Sequence, residues 1–101
     1  MRRHIVRYKS TPEGIEENKR LIEAVFRELQ ARSPEGLRYA VLQLADGTFL
    51  HFVEGEEGAI RLPDLEAFQR FQSGIKERCL EPPQFTDVTV VGNYRMLGPG
   101  Q

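Results

Sequence analysis

Apolar and polar residues alternate along His4–Tyr8, a run rich in β-branched and aromatic side chains, and this period predicts a first strand. Ser10-Thr11-Pro12-Glu13 follows. Thr11 can cap a helix, and Pro12 suits the first helical position, where no amide hydrogen is needed. Beyond it Ile15, Ile22, Phe26 and Leu29 recur at steps of seven, four and three, which is one helical face, with charged residues on the others. Ser33-Pro34-Glu35-Gly36 ends that helix. Leu37–Leu44 reads as a strand, Asp46-Gly47 as a tight turn and Thr48–Val53 as its hairpin partner. If Asp46 and Gly47 alone form the loop, Leu44 faces Phe49, Leu42 faces His51, Val41 faces Phe52 and Tyr39 faces Glu54. Leu62-Pro63-Asp64 opens a second helix with Leu65, Phe68, Phe71, Gln72, Ile75 and Cys79 on its inner face. Glu81-Pro82-Pro83 stops it, and Phe85–Tyr94 is a last strand. The tail from Leu97 to Gln101 is expected to fray.

The order β-α-β-β-α-β is the ferredoxin-like arrangement, an α+β fold with a four-stranded antiparallel sheet in a single domain over residues 1–101. Two helices cover one face of such a sheet. In the register above one hairpin face carries Ala40, Leu42, Leu44, Phe49, His51 and Val53. The other carries Tyr39, Val41, Leu50 and Phe52, with Gln43 its only clearly polar member. Neither is a face of alternating charges, so a second copy of the chain is expected to cover the face the helices leave, as a homodimer with sheets packed face to face or closed into a barrel.

Composition narrows the function. Apolar residues make up 40% and charged residues 29%, a mixture of folded globular proteins rather than disordered ones. With a net charge of −1, the chain offers no broad basic surface to nucleic acid. Gly47-x-Phe49-x-x-Phe52 has the look of an RNA-recognition motif, but Phe49 and Phe52 point to opposite faces and cannot both stack on bases. A single cysteine, Cys79, rules out an intramolecular disulfide and fits a reducing compartment. No apolar run approaches the roughly 20 residues that span a membrane, and Met1–Tyr8 lacks a signal-peptide core. The expected location is therefore cytoplasmic, with no membrane partner.

Among chemistry-bearing residues His51 stands out, mid-strand on an apolar face, because a histidine titrates near neutral pH and can move a proton. The bland alternative is a histidine satisfied in the core or at the dimer seam. His4 is the only other histidine, and no His-x-His or Cys-x-x-Cys spacing exists, so no metal site is expected. Tyr39 can present its hydroxyl to a ligand, with Glu54 opposite it as a proton-transfer partner or simply as a cross-strand pair. Arg38, on the strand face of His51 in this register, can receive an anion or reach solvent. Phe49, Phe52 and Phe68 can wall a pocket for an aromatic ligand, although this fold would bury them in any case. Gly55-Glu56-Glu57-Gly58 is a solvated loop or a lid. Cys79, at the expected C-terminal end of a helix, reads as an unreactive thiol.

Three stretches carry a family resemblance: Asp46-Gly47-Thr48-Phe49-Leu50-His51-Phe52-Val53, Ala67-Phe68-Gln69-Arg70-Phe71 and Val91-Gly92-Asn93-Tyr94-Arg95. Together with the element order, they resemble the dimeric α/β-barrel superfamily, and within it the antibiotic-biosynthesis-monooxygenase-like proteins of an uncharacterised bacterial branch. The resemblance runs from His4 to Tyr94. It implies a cavity between sheet and helices, a small apolar or aromatic ligand, and in some members a monooxygenase chemistry without metal or flavin. In such a scheme His51 is the base that deprotonates the substrate and Tyr39 positions it. The chain has no tryptophan, which departs from the haem-degrading members and from the polyketide oxidases. Two other readings stay open. One is a non-catalytic dimer that holds a small molecule or serves a structural role. The other is an isomerase or lyase using Arg38 and Glu54.

Overall fold

The computed structural model describes residues 1–97; residues 98–101, most of the tail expected to fray, lie outside them. Strand β1 spans Arg2–Ser10, helix α1 Ile15–Arg32, strand β2 Leu37–Gln43, strand β3 Thr48–Gly55, helix α2 Glu66–Gln72 and strand β4 Cys79–Asp87. The four strands form one sheet in the order β2-β3-β1-β4 with antiparallel pairing throughout, the ferredoxin-like topology. Short 3-10 turns at Pro12–Gly14, Leu62–Asp64 and Ile75–Arg78 lead into α1, into α2 and into β4. Among the described residues no helix is long and apolar enough to cross a membrane.

Helix α1 forms where its period places it. The Thr11 hydroxyl accepts the Gly14 amide, and Ser33 turns left-handed at the other end, its amide bonded to the Leu29 carbonyl. Leu21, Ile22 and Val25 are buried, with Ile15, Phe26 and Leu29 packed at the edge of the core. Leu65 enters α2 without a capping side chain. The Glu28 carboxylate of α1 supplies the missing acceptor by taking the Ala67 amide, and this bond, with Arg32 beside it, holds the Glu28 carboxyl below its usual range.

Three expectations are corrected. First, the hairpin loop holds three residues, because the Leu44 amide bonds the Thr48 carbonyl across Ala45-Asp46-Gly47. Gly47 sits at φ +88° and the Asp46 carboxylate accepts the Thr48 amide, the chemistry of a turn closed by a left-handed glycine. The extra loop residue slips the register by one. Val41 faces His51, Tyr39 faces Val53 and Arg38 faces Glu54. The slip reverses the face of every β2 side chain. Leu37, Tyr39 and Val41 pack into the core under the helices with Phe49 and Val53, and Tyr39 stacks on Phe26. Arg38, Ala40 and Leu42 lie on the far face with Leu50, Phe52 and Glu54.

Second, the second helix is shorter than its apolar spacing implies. Gly74, at φ +78°, breaks it after two turns, and Cys79 begins a strand instead of ending a helix. Third, Glu81-Pro82-Pro83 is not a helix stop but part of β4, which ends at Asp87; residues 88–94 have no strand structure. The prolines are tolerated for two reasons. β4 is an edge strand, and its pairing with β1 slips between Arg7↔Gln84 and Lys9↔Glu81, opening a bulge around both rings.

The core lies between the sheet and the two helices, around Tyr8, Phe49, Leu65, Val25 and Phe71. A buried polar cluster closes one end. Asn18 donates to the Ser10 hydroxyl and accepts from Arg78, whose guanidinium also reaches the Phe71 and Ser73 carbonyls. These bonds tie β1, α1 and the segment after α2 together at the point where α2 breaks.

Candidate functional site

His51 points from the middle of β3 toward the helices and is only 3% exposed. Both ring nitrogens are engaged: Nε2 lies 2.8 Å from the Tyr8 hydroxyl of β1, and Nδ1 lies 2.6 Å from the Tyr39 hydroxyl of β2. Alternation puts Tyr8, His51 and Tyr39 on one face, and the pairing of three strands brings them into reach. Tyr8 lies opposite Phe49, next to the Val6–His51 rung, and Tyr39 lies opposite Val53. The Phe71 ring of α2 stacks against the imidazole, 5.3 Å between centroids.

Electrostatics make this chain neutral. Burial lowers the His51 pKa to about 4 and pushes both tyrosines well above 10, so at neutral pH the imidazole and both phenols are uncharged. A neutral imidazole donates from one nitrogen and accepts at the other. One tyrosine therefore gives its proton to His51 and the other accepts from it. The accepting tyrosine keeps an O–H that has no partner among the described residues, so the chain can always donate one more hydrogen bond at one of its two ends.

The Tyr8 end opens on space. A cavity of about 500 Å³ lies between the sheet, α2 and the loop before it. Val6, Leu37, Val53, Ile60, Leu62, Phe68, Phe71 and Ile75 wall it, with Tyr8, His51, His4 and Arg2 among the polar groups on its sheet side. All of the loop from Gly55 to Arg61 borders it, and the loop is anchored where the Glu56 amide bonds the Gly36 carbonyl. The size and lining are those of small-molecule sites. Tyr39 borders a separate, smaller cavity of about 240 Å³ with Phe26, Leu29 and Leu37.

The structure thus gathers His51, Tyr39 and Phe68 in one neighbourhood and disperses the other candidates. Tyr39 reaches the main cavity only through His51. Phe49 lies in the core, stacked on Tyr8, and is not on the cavity wall. Phe52 is on the far face. Glu54 is also there, buried and ion-paired with Arg3, so it does not face Tyr39. Arg38 is exposed on that far face too, away from His51. Asn93 accepts the Met96 and Leu97 amides, and Tyr94 is exposed beyond the sheet. Cys79 is half-buried, and burial raises its thiol pKa. The sequence places Tyr8 near a strand end, where it can line a cavity mouth or pack in a dimer. It shares the inward parity of His4 and Val6, but its bond to His51 depends on the β1–β3 register. Among the described residues no cluster of three or more His, Cys, Asp or Glu side chains could hold a metal ion.

No protein-family model matches the chain, and no curated protein matches it in sequence. Solved structures do match in shape. A Mycobacterium tuberculosis protein superposes with a TM-score of 0.71 at 17% identity, over 90% of this chain and 95% of its own. A structure described as an antibiotic biosynthesis monooxygenase superposes at 0.68 and 17% identity, over 91% and 100%. A candidate antibiotic biosynthesis monooxygenase from Bacteroides thetaiotaomicron superposes at 0.73 and 14% identity, over 89% of each chain. The chain thus carries the ferredoxin-like fold of the antibiotic-biosynthesis-monooxygenase-like structures.

Proposed function

We propose that this protein binds a small, largely apolar or aromatic molecule in the cavity between β1, β3 and α2. The carrying observation is the pairing of an apolar space of about 500 Å³ with a neutral Tyr8–His51–Tyr39 chain that has one hydrogen-bond donor to spare. An apolar body gains from leaving water, and a hydroxyl or carbonyl oxygen on it accepts the spare proton in the tautomer that leaves it on Tyr8. Titration with 2-naphthol should raise the melting temperature by several degrees at saturating concentration, because a ligand that binds only the folded chain stabilises it by about 2.7 kcal/mol at 100 times its Kd. No shift across a panel of one- and two-ring aromatics would remove this reading.

The same chain favours a second reading, a monooxygenase of the kind that the shared fold includes. A substrate with an acidic C–H or O–H would pass its proton into Tyr8–His51. The carbanion or phenolate would transfer electrons to dioxygen, and the resulting peroxide would lose water. One oxygen atom ends in a new carbonyl and the other in water, with a CH2 group supplying the electrons. His51 in this scheme passes a proton on and does not hold it, since its lowered pKa makes it a weak resting base. One dioxygen consumed per product formed, lost in Tyr8→Phe, is the result that this scheme requires.

We also infer that the chain pairs with a second copy through the far sheet face. Ile5, Leu42, Leu50 and Phe52 give that face an apolar patch, Leu42 is 59% exposed, and no described helix lies over it. Sedimentation equilibrium should return twice the chain mass, and Leu42→Lys should shift it toward the single chain; a monomer at all concentrations would end this inference.

A further inference from the structure

One end of the cavity carries positive charge that the ligand reading above leaves unused. The inward side chains of β1 run from Arg2 through His4 and Val6 to Tyr8, and all four line the cavity. Each step of two residues along a strand is about 7 Å. The basic end at Arg2 and His4 is therefore one to two steps from the Val6–His51 rung, with Val53 paired to His4. Arg61, from the loop before α2, comes to the same end, since Arg2 and Arg61 both bear on the charge state of His4. Burial is the larger influence there, and all three together outweigh Asp87 and lower the His4 pKa, so the ring is a neutral donor or acceptor.

Neither Arg2 nor Arg61 is in an ion pair among the described residues. Asp87, paired across from His4 on β4, is the one carboxylate acting on His4. Glu56 and Glu57 border the cavity on the loop but are not among the charges acting on His4. Glu56 and Glu57 balance the two guanidinium charges over the cavity lining as a whole, but among the described residues neither is ion-paired with Arg2 or Arg61, so the arginine end is open to a small monoanion. The surface beside it is flat and apolar. Phe85 stacks on His4 with centroids 4.4 Å apart, borders the cavity and is 63% exposed.

We propose that the cavity's ligand is a small aromatic carboxylate, its carboxylate held by Arg2 and Arg61 and its ring between the His4–Phe85 shelf and the apolar wall. This rests on the reading of the cavity as a ligand site and adds the charge and orientation of the ligand. A guanidinium meets a carboxylate with two parallel hydrogen bonds, and the ring of the ligand then extends along the apolar wall toward the Val6–His51 rung.

The test uses the full chain, with 6-hydroxy-2-naphthoate and its methyl ester as probes followed by fluorescence titration at low and at high salt. The acid should bind at least tenfold more tightly than the ester at low salt. That advantage should shrink as salt is added and vanish in the Arg2→Gln, Arg61→Gln double variant, whose exposed sites leave the core untouched. Equal binding of acid and ester overturns the proposal while leaving the apolar-ligand reading intact. A preference for the acid that persists in the double variant overturns it too, because the anion is then held elsewhere. If neither probe binds, the cavity reading and the proposal fail together.

Discussion

Replacing His51 with alanine is expected to lower the stability by about 3–5 kcal/mol, a large part of the roughly 5–15 kcal/mol that holds a domain of this kind. Two costs combine. The Tyr8 and Tyr39 hydroxyls lose their only hydrogen-bond partner among the described residues, at about 1–3 kcal/mol each, and the imidazole leaves a void against Phe71. Denaturant unfolding measures the loss directly, and a drop below about 1 kcal/mol would contradict the chain as described. The same residue gives the protein a pH signature. The folded His51 has a pKa of about 4 against an ordinary 6.5. Above 6.5 the residue is neutral folded or unfolded, and it adds no pH dependence. As the pH falls from 6.5 to about 4 the unfolded chain takes up a proton that the folded chain does not, so stability is lost over that window. The integrated loss is about 3 kcal/mol. His4 is shifted in the same direction and adds to it. The depressed carboxyls of Glu28 and Asp46 act lower, because their stabilisation is lost only as the pH drops below their ordinary 4.5 and 3.8. His51→Gln, whose amide can bond to both tyrosines, isolates the histidine: its stability should change less than the native protein's between pH 6.5 and 4.5. An unchanged slope would place the acid sensitivity elsewhere.

Phe71→Ala should be comparably damaging, again about 3–5 kcal/mol. The ring is buried where α2 meets the sheet, touches the rings of Tyr8, His51 and Phe68, and lies under the Arg78 guanidinium at 5.7 Å. It is also part of the cavity wall, so its loss joins the void to the cavity. Phe71→Leu keeps most of the volume and should recover more than half of the stability in thermal unfolding. If the alanine variant loses less than about 1.5 kcal/mol, α2 does not pack on the sheet through this ring.

What the sequence reveals here depends on how local the determinant is. Helix α1 is legible because 18 residues repeat one apolar face between a Thr11 cap and a helix-ending Ser33. The hairpin is legible from Asp46-Gly47, but its register is not: that dipeptide serves loops of two and of three residues, and Ala45 alone decides which face Tyr39 and Arg38 take. The end of α2 is misleading in the sequence because Ile75 and Cys79 continue the helical spacing past Gly74, while the proline pair that looks like a helix stop is tolerated in an edge-strand bulge. In the site, His51 is conspicuous as a lone histidine on an apolar strand; Tyr39 is a candidate as well, but a two-residue loop would put it on the opposite face, and only the slipped register brings it to His51. Tyr8 is legible only as a residue near a strand end that can line a cavity mouth, because its contact with His51 spans 43 residues and depends on how β1 pairs with β3. No periodicity within either strand carries that information. Glu54 and Phe52, inviting in the linear sequence, alternate with His51 along β3 and so fall on the far side of the sheet.

The most direct measurement is an amide and aromatic NMR titration of the isotope-labelled protein with 2-naphthol. A ligand in the cavity should move the signals of Tyr8, His51, Phe68, Phe71 and Ile75 and leave those of Leu42, Leu50 and Phe52 in place. Shifts concentrated on the far face, or none at all at millimolar probe, would contradict a binding site built on the Tyr8–His51–Tyr39 chain.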